Sequence, residues 1–125
     1  MARLEHVNIT VSDPQRAAAL MDQLFGWKIR WEGASINGGY SIHVGDKDDY
    51  LAFYTPPKTT EPKVVSYGIR GGLNHVALVV DDLDAVEARV INAGLKTTNH
   101  ADYEPGRRFY FHDHDNIEYE IVSYA

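Results

Sequence analysis

The sequence predicts an α+β fold of two βαβββ modules in tandem, with curved mixed sheets around a central cleft and the helices on the outer face. Three observations carry this prediction. First, Leu4-Glu5-His6-Val7-Asn8-Ile9-Thr10-Val11-Ser12-Asp13 returns as Leu73-Asn74-His75-Val76-Ala77-Leu78-Val79-Val80-Asp81-Asp82, and self-similarity of this kind marks a duplicated structural unit. Second, each copy opens with residues that alternate in character with the period of a strand. Third, each copy then runs through a capping aspartate, an apolar stripe at helical spacing and a glycine.

In the first copy Val7, Ile9 and Val11 share one strand face, and His6, Asn8 and Thr10 share the other. Asp13 caps a helix that begins at Pro14, a residue suited to the first helical position. Ala17, Leu20, Met21, Leu24 and Phe25 form its apolar stripe, and Gly26 ends it. Strands are expected near 28–32, 40–44 and 50–54. In the second copy Val76, Leu78 and Val80 oppose His75, Ala77 and Val79. A helix is expected over 83–93 with a stripe of Leu83, Val86, Val90 and Ile91, stopped by Gly94. Strands follow near 95–100, 107–112 and 117–123. The chain thus reads as one domain, 1–125, with module one at about 1–55, a linker at 56–72 and module two at about 73–125. Pro56, Pro57, Pro62 and the closing Gly71-Gly72 mark the linker. Tyr67-Gly68-Ile69-Arg70 within it is read as an irregular strand.

Composition excludes several classes. A length of 125 residues with 44% apolar content suits one folded domain. A net charge of −6 gives no support to nucleic-acid binding. The absence of cysteine excludes a disulfide scaffold and thiolate-held metal, and fits a cytoplasmic protein. No apolar run is long enough to span a bilayer, and the first residues lack the apolar stretch of a signal peptide. Neither membrane nor nucleic acid is therefore an expected partner.

The chemistry concentrates on the faces turned from the helices. His6 and His75 are equivalent in the two copies, so an approximate twofold axis brings them together; the plain alternative is a pair of hydrogen-bonded core histidines. Glu118 and Glu120 project to one strand face while Ile117, Tyr119 and Ile121 take the other. Glu118 reads as a solvated strand-start residue. Glu120 lies deeper in an apolar run, where a carboxylate is costly unless paired or bound to metal. Its counterpart in the first copy is Ala52. His6, His75 and Glu120 then form a three-ligand set with open positions, which suits Fe(II) or Mn(II) and also accepts Zn(II). Tyr50, Ala52 and Tyr54 line the same face. His43, His112 and His114 read as residues at strand ends or turns, with His112 a candidate general base. Arg107, next to Arg108, is a candidate for holding an anionic group, against the alternative of a solvated basic pair. Tyr103 and the 67–70 segment are candidates for closing over the cleft.

The chain resembles the vicinal oxygen chelate superfamily of glyoxalases, bleomycin-resistance proteins and extradiol dioxygenases. The resemblance rests on Leu4-Glu5-His6-Val7, Gly72-Leu73-Asn74-His75-Val76-Ala77 and Phe111-His112-Asp113-His114-Asp115-Asn116-Ile117-Glu118-Tyr119-Glu120. The last segment is similar to the family pattern Asp-Pro-Asp-Gly-Asn-x-x-Glu, with Asp113, Asp115 and Glu120 in place. His114, Asn116 and Ile117 depart from it, and Asn116 tolerates the left-handed turn of the replaced glycine. The resemblance implies His6, His75 and Glu120 as metal ligands, Fe(II) or Mn(II) as the favoured ion with Zn(II) or Ni(II) open, and a homodimer. Ala52 stands where glyoxalases and epimerases of the family carry a fourth ligand. The expected function is therefore a metal-dependent enzyme acting on a small substrate chelated through adjacent oxygens. Ring-cleaving dioxygenase chemistry leads, with Glu120 and His112 as catalytic residues. A metal-dependent lyase or isomerase and a metal-free drug-binding protein are the alternatives.

Overall fold

A computed structural model describes residues 1–62, 65–103 and 105–125. It divides into two compact units, Met1–Glu61 and Pro62–Ala125. The first contains β1 (His6–Thr10), α1 (Pro14–Phe25), β2 (Lys28–Ala34), β3 (Tyr40–Gly45) and β4 (Tyr50–Thr55). The second contains β5 (Val76–Val79), α2 (Leu83–Asn92), β6 (Thr97–Tyr103), β7 (Gly106–His112) and β8 (Glu118–Ser123). Each unit is βαβββ, and each sheet is mixed: the order is β1-β4-β3-β2 in one and β5-β8-β7-β6 in the other. The first strand of each unit runs parallel to the last, and the remaining pairs are antiparallel. Among the described residues no helix is long and apolar enough to cross a membrane.

The helices form where their signals stand. Asp13 Oδ1 accepts the Arg16 N–H at 3.1 Å, and Asp82 Oδ1 accepts that of Ala85 at 3.0 Å. Each bond satisfies one of the donors a helix start leaves unpaired. Gly26 ends α1 with φ +70°, a conformation most side chains resist. Ala17, Leu20, Met21 and Leu24 pack against the first sheet, joined by Ala18. Leu83, Val86 and Val90 do so in the second unit. Ile91, expected in that stripe, is exposed. It lies one residue, and so about 100°, beyond Val90, which turns it off the 83-86-90 seam.

The strand register places the repeat in space. Asn8 lies opposite Ala52 in β1–β4, and Ala77 lies opposite Glu120 in β5–β8. Ala52 and Glu120 therefore hold matching places in the two sheets. The helix-facing sides are apolar: Ile42, Val44, Leu51 and Phe53 in one unit, and Phe109, Phe111, Tyr119 and Ile121 in the other. The Phe111 and Tyr119 rings stack with centroids 5.2 Å apart. The edge strands β2 and β6 each carry a register shift that interrupts regular pairing.

Two segments differ from expectation. Ser66–Gly68 forms a single 3-10 turn rather than a strand, closed by Ile69 N–H to Ser66 C=O at 3.0 Å. It has no neighbouring strand to pair with, so the local turn satisfies its backbone. The linker expected at 56–72 includes Lys63 and Val64, which lie outside the described residues. The turn before β8 does follow its motif. Asn116 takes φ +63°, and Asp113 Oδ1 accepts the N–H groups of Asp115 and Ile117, each at 2.9 Å. Burial pushes the Asp113 carboxyl up despite these two bonds.

Asp13→Ala and Asp82→Ala should each cost about 1 kcal/mol, since each removes one cap bond. Phe111→Ala should cost about 3–5 kcal/mol through the cavity it leaves. Denaturant midpoints of the three variants check this ordering.

Candidate functional site

Alternation along β8 sends Glu118 and Glu120 away from α2 while Tyr119 enters the core. Across the sheet, Tyr110 lies opposite Glu120 and His112 opposite Glu118. Phe109 and Phe111 fill the core, so Arg108, Tyr110 and His112 share the face of the glutamates. His75 immediately precedes β5 at the edge of the same face.

Glu120 is buried, with 8% of its surface exposed. A carboxylate in that position needs donors, and two side chains supply them. The Tyr110 hydroxyl donates to Oε1 at 2.8 Å. Arg108 Nη1 donates to Oε2 at 3.2 Å. His75 Nε2 lies 3.2 Å from Oε1. Arg108 also donates to the Gly106 carbonyl and lies 5.2 Å from the centre of the Tyr103 ring. Its Nε is buried without a hydrogen-bond partner among the described residues. Burial, and then the bond to Glu120, hold the Tyr110 hydroxyl above its ordinary pKa.

Glu118 is enclosed rather than solvated, which corrects the expectation for it. The Tyr67 hydroxyl donates to its Oε1. His112 Nε2 lies 3.5 Å from Oε2, and His75 Nδ1 lies 3.9 Å from Oε1. The bond to Glu118 is the main reason the Tyr67 hydroxyl is pushed up to about 12.

The equivalent face of the first unit is aromatic. The His6 ring stacks on Tyr50 at 4.8 Å, Tyr50 on His43 at 4.7 Å, and His43 meets Trp31 at 5.1 Å. The Arg30 guanidinium lies 4.4 Å from the Tyr50 ring centre. Glu5 Oε1 lies 2.8 Å from His6 Nδ1 and accepts the Tyr50 hydroxyl at 3.2 Å. These bonds, that to His6 first, hold the Glu5 carboxyl below its usual range. Burial pushes the His43 imidazole down and the Tyr50 hydroxyl up.

The structure thus brings His75, Glu120 and His112 onto one face of the second unit, with Tyr103 beside Arg108. His6, Tyr50 and Tyr54 belong to the first unit, where Tyr54 donates to the Ile36 carbonyl at 2.9 Å. His43 lies within β3, not at a strand end, and joins the aromatic stack. Ala52 has 0% of its surface exposed, so its side chain presents nothing to a ligand. Arg107 does not join the site. It pairs with Asp84 of α2 at 2.8 Å, because alternation along β7 turns it to the helix side. Its neighbour Arg108 faces Glu120 instead, and Tyr110, Trp31 and Arg30 were not anticipated. The core pair Phe109/Phe111 was the available signal, since it assigns Arg108 and Tyr110 to the opposite face.

No group of three or more histidine, aspartate or glutamate side chains is arranged as an ion cage among the described residues. The donor chemistry nevertheless fits a divalent metal. Two ligands about 2.1 Å from an ion and at right angles to it stand about 3.0 Å apart. The 3.2 Å between His75 Nε2 and Glu120 Oε1 is close to that spacing. His75 Nδ1 is turned to the Tyr67 hydroxyl, 3.4 Å away, so the ring nitrogen remote from Glu120 has a partner of its own. With the proton on Nδ1, a lone pair on Nε2 faces a carboxylate oxygen, a contact that a cation relieves.

A family model for the glyoxalase/bleomycin resistance protein/dioxygenase superfamily matches residues 3–121. No curated protein matches the chain by sequence. Among solved structures, a glyoxylase/bleomycin resistance protein/dioxygenase domain from Frankia sp. EAN1pec is 22% identical, with a TM-score of 0.82 over 98% of both chains. The fosfomycin resistance protein FosX from Mesorhizobium loti is 23% identical, with a TM-score of 0.74 over 98% of this chain and 91% of its own. FosX from Listeria monocytogenes, complexed with Mn(II) and sulfate, is 16% identical, with a TM-score of 0.76 over 98% of this chain and 93% of its own. At these identities the likeness is one of fold.

Glu118→Gln should bring the Tyr67 hydroxyl down from about 12 toward its ordinary 10.0, because the charge that opposes its ionisation is gone. The bond's contribution to stability is present below the unfolded tyrosine value and is lost as pH rises through about 12. A carbon-13 titration of the labelled tyrosine ring reads the shift; an unchanged midpoint would contradict the pairing.

Proposed function

Because this chain belongs to the glyoxalase/bleomycin resistance protein/dioxygenase superfamily, we propose that it is a divalent-metal-dependent enzyme whose ion is held by His6, His75 and Glu120. The observation that carries the reading is the His75–Glu120 pair, set 3.2 Å apart on a face that also holds Arg108 and Tyr110. The Mn(II)-complexed FosX supports Mn(II) as one candidate ion, beside Fe(II), Zn(II) and Ni(II). When bound, the ion supplies Lewis acidity toward a substrate's paired oxygens or, as Fe(II), oxygen activation.

The chain's own residues do the rest. Arg108 and Tyr110 orient the Glu120 carboxylate and fix which oxygen faces His75. Ala52 supplies no donor at the place matching Glu120, so the first unit adds no fourth ligand there. His112, half-exposed and held near Glu118, is the candidate proton acceptor. A small-molecule substrate, a cytoplasmic setting and a homodimer complete the reading.

The aromatic row Trp31–His43–Tyr50 favours a planar aromatic substrate, and with it ring-cleaving dioxygenase chemistry on Fe(II). Lyase or isomerase chemistry uses the same ligands with Mn(II) or Zn(II). A metal-free drug-binding role would use the His75–Glu120 pair as an ion pair alone.

Elemental analysis of protein purified without chelator should find about one divalent ion per chain, reduced to background in His75→Ala and Glu120→Gln. Wild-type protein that takes up none of the four ions would overturn the enzyme reading. Oxygen uptake by the Fe(II) form with catechols separates ring cleavage from lyase chemistry.

A further inference from the structure

We propose that Glu5 with Tyr50, and Glu118 with Tyr67, are positioning pairs that hold His6 and His75 in one common tautomer, Nδ1–H, with Nε2 left as the ligating atom. The proposal rests on the metal reading above and goes beyond it, because it assigns the residues that set the ligands rather than the ligands.

In the first unit the His6 Nδ1–H donates to Glu5 Oε1 at 2.8 Å. The Tyr50 hydroxyl donates to that same oxygen at 3.2 Å, and its ring lies against the imidazole at 4.8 Å. Tyr50 thus fixes both the carboxylate and the ring plane. In the second unit the same groups are joined in a different order. His75 Nδ1 lies 3.4 Å from the Tyr67 oxygen, and the Tyr67 hydroxyl donates to Glu118, which leaves the Tyr67 oxygen free to accept a proton carried on Nδ1. His112 lies 3.5 Å from the other Glu118 oxygen and holds that carboxylate from the far side. The two rings of Tyr67 and His75 lie nearly parallel, with centroids 6.4 Å apart.

The repeat makes this more than a pair of local contacts. The register sets His6 opposite Tyr50, and Val76 opposite Tyr119, so that Glu118 holds the place of Tyr50. The residue before the histidine is Glu5 in one copy and Asn74 in the other. A carboxylate therefore sits before the histidine in unit one and on the last strand in unit two. The tyrosine sits on the last strand in unit one and in the 3-10 turn in unit two. Descent from one ancestral module places like residues at like positions. A histidine–carboxylate–tyrosine set rebuilt from unlike positions points to a requirement on the histidine itself. That requirement fits a metal ligand, whose remote ring nitrogen needs a fixed acceptor.

The test uses nitrogen-15-labelled full-length protein, free of metal, at a pH where the imidazoles are neutral. Long-range proton–nitrogen spectra should show His6 and His75 as Nδ1–H, and the exposed His114 as the opposite, Nε2–H form of a free imidazole. Glu5→Ala and Glu118→Ala should each release the adjacent histidine from the Nδ1–H form. Each should also weaken Mn(II) binding, followed by electron paramagnetic resonance, by about 10–100-fold. Glu118→Gln, which keeps an acceptor oxygen, should recover part of the loss and serves if the alanine variant fails to fold. Nε2–H at His6 or His75 in the wild type overturns the proposal. So does an unchanged tautomer and Mn(II) affinity in folded Ala or Gln variants. Wild-type protein that binds no Mn(II), Fe(II), Zn(II) or Ni(II) fails the metal reading instead, and the spectra of the metal-free protein still decide the tautomer.

Discussion

Glu120 is the constraint around which the second unit is arranged. A carboxylate with 8% of its surface exposed is stable only where donors replace its water. Arg108 and Tyr110 come from the neighbouring strand, and His75 from the edge of the parallel one. All three depend on β7 and β5 pairing with β8 in this register. A slip of one residue would send Glu120 into the Phe109–Phe111 layer and bring Tyr119 and Ile121 out. The apolar core and the ionic face therefore fix the same register from opposite sides of one sheet.

The first unit has no such carboxylate. With Ala52 at the matching place, nothing charged is buried and no donors need to converge. The position is closed over by aromatic neighbours instead: His43 lies opposite Ala52, and Tyr50 stacks on both His43 and His6. One backbone plan thus yields an ionic face in one copy and a stacked aromatic face in the other. Single substitutions at equivalent positions are enough to do this, because each strand residue meets the same cross-strand neighbours in both units.

The sequence was informative wherever a signal was local and periodic. Both helices start at their capping aspartates, and all eight strands fall within a few residues of the expected ranges. The bulk of the site was legible too, since alternation assigns Glu120 and the face of His6 from the chain alone. What escaped had a tertiary cause. Ile91 fits the helical stripe by spacing, yet the α2 seam is narrow and leaves it outside. Arg107 and Arg108 are interchangeable by composition. Only the pairing of β7 with β8, and Asp84 waiting on α2, separates them. Glu118 looked solvated because its shelter comes from Tyr67, in a turn that has no periodic signature.

The two units differ at that turn. Tyr67 lies between the copies, in a stretch outside the repeated modules, and donates to Glu118. The residue before His75 is Asn74, not a carboxylate. The first unit carries Glu5 next to His6, braced by Tyr50. The asymmetry between Glu5 and Asn74 looks like drift in the sequence. In the structure it is the consequence of where each histidine finds its acceptor.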